Sequence, residues 1–128
     1  MPKFTEYKAT AKARGSLALE LFAVVSTPAI APPEMAQHLP DHLAYQAERE
    51  RDGTLFLAGP LSDLSGENIE GVGLIIYRAE SLEAARALAS ADPMHARGAR
   101  TFEIRRWLVN EGSLRLDVGL STGRSVLS

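Results

Sequence analysis

The chain carries three histidines, His38, His42 and His95, and one carboxylate at a helix-breaking corner, Asp92 before Pro93. Imidazole changes charge near neutral pH, so histidines are the first candidates for proton transfer. A carboxylate beside an imidazole orients the ring, fixes its tautomer and raises its basicity. His42 with Asp92 is the pairing that offers this chemistry. Each residue also has a plainer explanation. Asp before Pro is an ordinary helix-terminating turn, and His42 reads equally as a satisfied polar group at a helix–sheet edge. His38 and His42 are spaced i, i+4 and would share a helix face. That spacing can seat a metal, but a third ligand is missing and no HExxH pattern is present, so no metal site is expected.

Other chemical signals are weaker. Gly59-Pro60 either ends a strand or brings backbone close to a ligand, because glycine lacks a Cβ. Arg105 and Arg106 could bind an anion, or could be edge charges that block unwanted strand pairing. Asp63 to Asn68 lacks EF-hand spacing and reads as a solvated hairpin loop. Ser65, Ser81 and Ser90 have no nucleophile-elbow context. Gly66, Gly71 and Gly73 match no phosphate-binding fingerprint. No cofactor is expected.

The elements that must position His42 and Asp92 are legible. Ser81 is a good N-cap, and Leu82, Ala85, Leu88 and Ala89 recur at helical spacing. Asp92-Pro93 stops that helix, since the residue before proline is pushed out of the α region. Strands are expected at Leu19 to Ser26, Thr54 to Ala58, Val72 to Arg78 and Thr101 to Leu108. The consecutive Leu74, Ile75 and Ile76 suit a strand buried on both faces. Gly59-Pro60 should end the second strand, with a polar loop from Leu61 to Gly71. The other helix spans Pro33 to Asp52. Pro40 sits awkwardly inside it, so its better-formed part starts near Leu39 or Pro40 and stops at Gly53, with Leu39, Leu43 and Ala47 facing the core. Phe4 to Arg14 is either a short helix ending at Gly15 or an extended arm. Beyond Asn110, the spaced Leu114, Leu116, Val118 and Leu120 suit an extra strand or an arm lying on a partner.

Composition narrows the class. At 128 residues the chain is most simply one domain, with a core at about 19–108, an N-terminal extension at 1–18 and a tail at 109–128. Hydrophobic content of 45% suffices for a core. The net charge of −2, from 14 basic and 16 acidic residues, argues against a general nucleic-acid binder. The absence of cysteine excludes disulfides, thiolate zinc sites and cysteine nucleophiles. Leu17 to Val25 is too short and too interrupted by Glu20 for a membrane span. The cytoplasm is the default setting.

The order β-α-β-β-α-β gives an α+β chain of ferredoxin-like topology, a four-stranded antiparallel sheet with two helices on one face. Apolar residues on the other face call for a cover, so a symmetric homodimer through the sheet faces is expected.

Several segments also resemble the YCII-related family of small dimeric α+β barrel proteins. They are His42-Leu43-Ala44-Tyr45, Gly53 to Leu61, Ala79 to Arg86, Asp92-Pro93-Met94 and Ile104-Arg105-Arg106-Trp107, covering about Leu19 to Trp107. The resemblance implies a ferredoxin-like monomer paired sheet to sheet and a His–Asp dyad in a pocket, which falls here on His42 and Asp92. One branch of the family resembles enzymes that remove chloride from a hydroquinone, and related barrels include muconolactone isomerases. The extension and the tail depart from the pattern. His95 adds a third polar group near Asp92.

Two functions follow as expectations. The first is a cofactor-free lyase or isomerase acting on a small cyclic or aromatic molecule, with His42 as general acid or base and Asp92 orienting it. His95 and the Gly59-Pro60 backbone would shape a ligand pocket beside a hollow that the paired sheets enclose. The second is a non-catalytic dimer that binds a small ligand or partner, its dyad structural.

Overall fold

The computed structural model describes all residues, Met1–Ser128. Along the chain run α1 (Phe4–Ala13), β1 (Leu19–Pro28), α2 (Pro32–Met35), α3 (Leu39–Asp52), β2 (Leu55–Ser62), β3 (Ile69–Tyr77), α4 (Leu82–Ala91), α5 (Pro93–Ala96), β4 (Arg100–Val109), β5 (Leu116–Val118) and β6 (Ser125–Leu127). Two compact units result, Glu20–Leu108 and the two terminal segments Met1–Leu19 with Val109–Ser128. No helix is long and apolar enough to cross a membrane.

The larger unit is an α+β fold on a four-stranded antiparallel sheet of order β2-β3-β1-β4. Strand β1 pairs with β3 from Phe22 opposite Tyr77 to Ser26 opposite Gly73. Side chains alternate across a strand, so Phe22, Val24, Ile75 and Tyr77 share one face. They meet Ala85 and Ala89 of α4 in the buried core, with Phe102 and Ile104 of β4 packed alongside. Small alanines on the buried stripe of α4 let the helix approach the sheet closely. Ser81 caps α4 by accepting the Ala84 N–H at 3.0 Å. Gly53 ends α3 in the left-handed region at φ 83°, where a Cβ would be strained.

Three expectations are corrected. Strand β2 does not end at Gly59-Pro60 but continues to Ser62. It lies at the sheet edge, where a proline lacking an N–H costs no ladder bond. The expected Leu61 to Gly71 loop shrinks accordingly, because β3 begins at Ile69 and Asp63 ties the turn. The Asp63 carboxylate accepts from Ser65, Gly66 and Asn68, and the Ser65 and Asn68 side chains hold it down at about 2. Third, Leu39 and Leu43 do not enter the core; they are 45% and 54% exposed and face a hollow instead.

In the smaller unit, Phe4–Ala13 is helical rather than an extended arm, and Gly15 follows it at φ 86°. Strands β5 and β6 of the tail pair antiparallel from Leu116 opposite Leu127 to Val118 opposite Ser125.

Candidate active site

Pro40 is accommodated because α3 starts at Leu39, which puts the proline in the first helical turn where its missing N–H had no partner. His42 therefore stands in that first turn, its backbone N–H donating to His38 O at 3.1 Å. Asp92 leaves the helical region at ψ 126° and ends α4. The same residue caps α5, its Oδ1 accepting the Met94 N–H at 3.0 Å. The corner aims a fully buried carboxylate at α3. His42 Nδ1 lies 2.9 Å from Asp92 Oδ1 and 2.8 Å from Oδ2. A carboxylate only accepts, so Nδ1 carries the proton and donates. In the neutral ring, Nε2 is then the free basic nitrogen.

His42 lines a cavity of about 480 Å³, within the range of small-molecule sites. Met35, Leu39, Leu43 and Met94 form its helical wall, and Ala58, Gly59, Pro60, Gly71, Gly73 and Leu74 its sheet wall. The cavity lies on the helix-bearing face of the sheet, the face of Val24 and Ile75. A glycine explains part of the space: Gly73 shares the helix-bearing face with Val24 and Ile75, and no side chain stands there to fill the gap before α3. Gly71 is required by its backbone as well. Its φ is +103°, and a Cβ there would stand 2.6 Å from Pro28 Cγ.

A second network reaches the same cavity through Ser26 and Arg100. His95 Nδ1 lies 2.7 Å from Ala89 O, a carbonyl that only accepts, so Nδ1 again carries the proton. His95 Nε2 then accepts from the Ser26 hydroxyl at 2.7 Å. Ser26 Oγ in turn accepts from Arg100 Nε at 2.7 Å. Arg100 Nη2 donates to Ser26 O at 2.9 Å and to Gly71 O. The order of donors requires a neutral His95. Burial pushes His95 below the ordinary histidine value, against the upward pull of the Ala89 carbonyl and Asp92. Burial also pulls Arg100 down, while Asp92 opposes it; a guanidinium nevertheless stays charged.

The profile of the YCII-related domain matches residues 20–108. The chain belongs to the YCII-related family. One similar solved structure is the 5-chloro-2-hydroxyhydroquinone dehydrochlorinase (TftG) from Burkholderia phenoliruptrix AC1100, in complex with 2,5-dihydroxybenzoquinone. The two are 18% identical, with a TM-score of 0.50 over 68% of this chain and 92% of that one. That likeness speaks for the fold. No curated protein matches the chain.

Within this YCII-related unit, the structure brings His42 and Asp92 into contact and sets Gly59 and Pro60 on the same cavity. His95 is not at the cavity wall; it stands behind Ser26. His38 lies apart from the dyad, near Arg97, and no group of three His, Cys, Asp or Glu residues could hold a metal. Arg106 pairs with Glu20 at 2.8 Å, and Arg105 is exposed on the opposite face of β4. Sequence reasoning missed Ser26 and Arg100. Ser26 did leave a signal: it continues the core-facing phase of Phe22 and Val24, where a polar residue needs a partner.

Proposed function

We propose that the chain is a small homodimeric lyase or isomerase that moves a proton on a small cyclic or aromatic molecule. The observation that carries this reading is the bond from His42 Nδ1 to buried Asp92 at the edge of a cavity. The bond leaves Nε2 to accept a proton from bound substrate, and Asp92 supports the imidazolium that forms. In an elimination, the electron pair of the broken bond to hydrogen forms the new double bond. The leaving group departs with its own pair, and Nε2 keeps the proton until solvent or product takes it. An isomerase would return that proton to a different atom. The dehydrochlorinase named above makes an elimination the first reaction to try. Gly59, Pro60 and the apolar helical wall would enclose the ring, and His95 would act through Ser26.

The dimer is part of the proposal. Val25, Leu57 and Trp107, on the sheet face away from the helices, are 40%, 55% and 43% exposed, which suits a second copy as cover. The cytoplasmic setting rests on the sequence reading alone.

A thermal-shift screen of small ring compounds finds the ligand class, since a ligand that binds only the folded state raises Tm. Turnover of a hit is then compared between the native chain and His42→Gln. The expected loss is about 10²–10⁴-fold in kcat; full turnover by His42→Gln removes the proposal. One observation favours a second reading: Asp92 is fully buried and caps α5, so the pair also has structural work. A non-catalytic ligand-binding dimer would lose Tm in His42→Ala and Asp92→Asn while keeping its ligand affinity.

A further inference from the structure

Arg100 differs from the other paired arginines. Arg97 meets Asp41 at 2.8 Å, Arg49 meets Asp52 at 3.2 Å, Arg106 meets Glu20, and Arg51 meets Glu48. Arg100 is half-buried, and every acceptor it uses is uncharged: Ser26 Oγ, Ser26 O and Gly71 O. Those bonds occupy Nε and Nη2. A guanidinium has five N–H donors, so both donors on Nη1 are left over, and Nη1 is not sealed from solvent. The residue lines the cavity, and no Asp or Glu shares that lining. Asp92 is engaged behind His42 by the Nδ1–H and the Met94 N–H. The cavity therefore has a net positive wall bordered by Met35, Leu39, Leu43 and Met94.

Such a cation is costly to desolvate unless an anion meets it. It is also held in advance. Its bonds to the backbone of β1 and β3 and to the Ser26 hydroxyl fix the guanidinium plane before any ligand arrives, and Ser26 is fixed by His95 in turn. A donor pair held in place beside an apolar space favours charge on a bound molecule, because little reorganisation is needed. We propose that Arg100 is the anion-binding residue of this cavity, and that the ligand is a small ring compound carrying an ionised oxygen: a phenolate, an enolate or a carboxylate. The inference names the substrate class of the site proposed above and rests on that reading for any step after binding.

The test reads binding without turnover. The full chain is titrated with 4-nitrophenolate and with its neutral counterpart 4-nitroanisole, at a pH where the phenol is ionised, and with benzoate against benzamide. The native chain should prefer the anion of each pair by about tenfold or more, as expected for a hydrogen bond to a charged group. Arg100→Gln should bring the members of each pair within about threefold, Arg100→Lys should keep part of the preference, and His42→Gln should keep all of it. Equal binding of anion and neutral probe by the native chain overturns the proposal, and this arm needs no variant that might misfold. Loss of the preference in His42→Gln with its retention in Arg100→Gln also overturns it, by assigning the charge to His42. The catalytic reading fails separately, through unchanged turnover in His42→Gln.

Discussion

Asp92→Asn tests the dyad without knowledge of the substrate. The substitution is nearly isosteric in a fully buried site, so packing is conserved. The Met94 N–H is a backbone donor fixed by α5 and continues to require the side-chain oxygen at Oδ1. The new amide NH2 then occupies the Oδ2 position, 2.8 Å from His42 Nδ1. Two donors would face each other. The imidazole relieves this by moving its proton, which makes Nδ1 the acceptor and places the N–H on Nε2. The base facing the cavity is thereby converted to a donor, and turnover of any identified substrate should fall by about 10²–10⁴-fold. Exchanging a charge-assisted hydrogen bond for a neutral one costs about 1 kcal/mol. For a chain of this size that lowers Tm by several degrees, on the order of 3–5 °C per kcal/mol. The decisive assay is nitrogen-15 NMR of the ring nitrogens of His42 at about pH 9, well above the ordinary histidine range. The native chain should show a protonated Nδ1 and a bare Nε2, and Asp92→Asn the reverse. An unchanged tautomer in the variant refutes the reasoning, whatever happens to activity.

Three further outcomes follow from the same geometry. His95 is held neutral in the fold and has a lowered pKa, whereas the unfolded chain titrates at roughly 6.5. Its contribution to stability is therefore complete above about pH 6.5 and is lost as pH falls through the folded value. Melts between about pH 7.5 and 4.5 should show a shallower acid slope in His95→Asn than in the native chain; equal slopes count against a neutral buried His95. Gly71→Ala forces a Cβ against Pro28 Cγ and a side chain into the left-handed region. It should cost about 1–3 kcal/mol by thermal or urea melts, and a cost below about 0.5 kcal/mol would mean that β3 relaxes freely. Leu57→Glu places a charge at an exposed apolar position on the sheet face away from the helices and should shift sedimentation from dimer to monomer at equal concentration, whereas a native chain that sediments as a monomer contradicts the proposed pairing.

Much of the frame was legible because local physics decides it. Ser81 announced the start of α4, Asp92-Pro93 its end and Gly53 the end of α3, through capping, steric exclusion and a left-handed residue. The strand expected at Thr101 to Leu108 lies within β4, where Phe102 and Ile104 alternate with the exposed Glu103 and Arg105. Where an edge was involved, local rules misled. Gly59-Pro60 reads as a stop in isolation, yet β2 runs through it because only one side of an edge strand needs ladder bonds.

The chain by itself determined which residues could move a proton and roughly where its helices and strands lie, since these depend on side-chain type and neighbours a few positions away. Only the tertiary structure decided what those residues touch. It brought the first turn of α3 against the corner after α4, left Leu39 and Leu43 beside a hollow, and drew Ser26, His95 and Arg100 together from three separate elements. The distinction is physical. A hydrogen bond between positions 42 and 92, or 26 and 95, depends on strand order, the tilt of a helix and the missing Cβ of a glycine, and none of these is a property of the residues near either end.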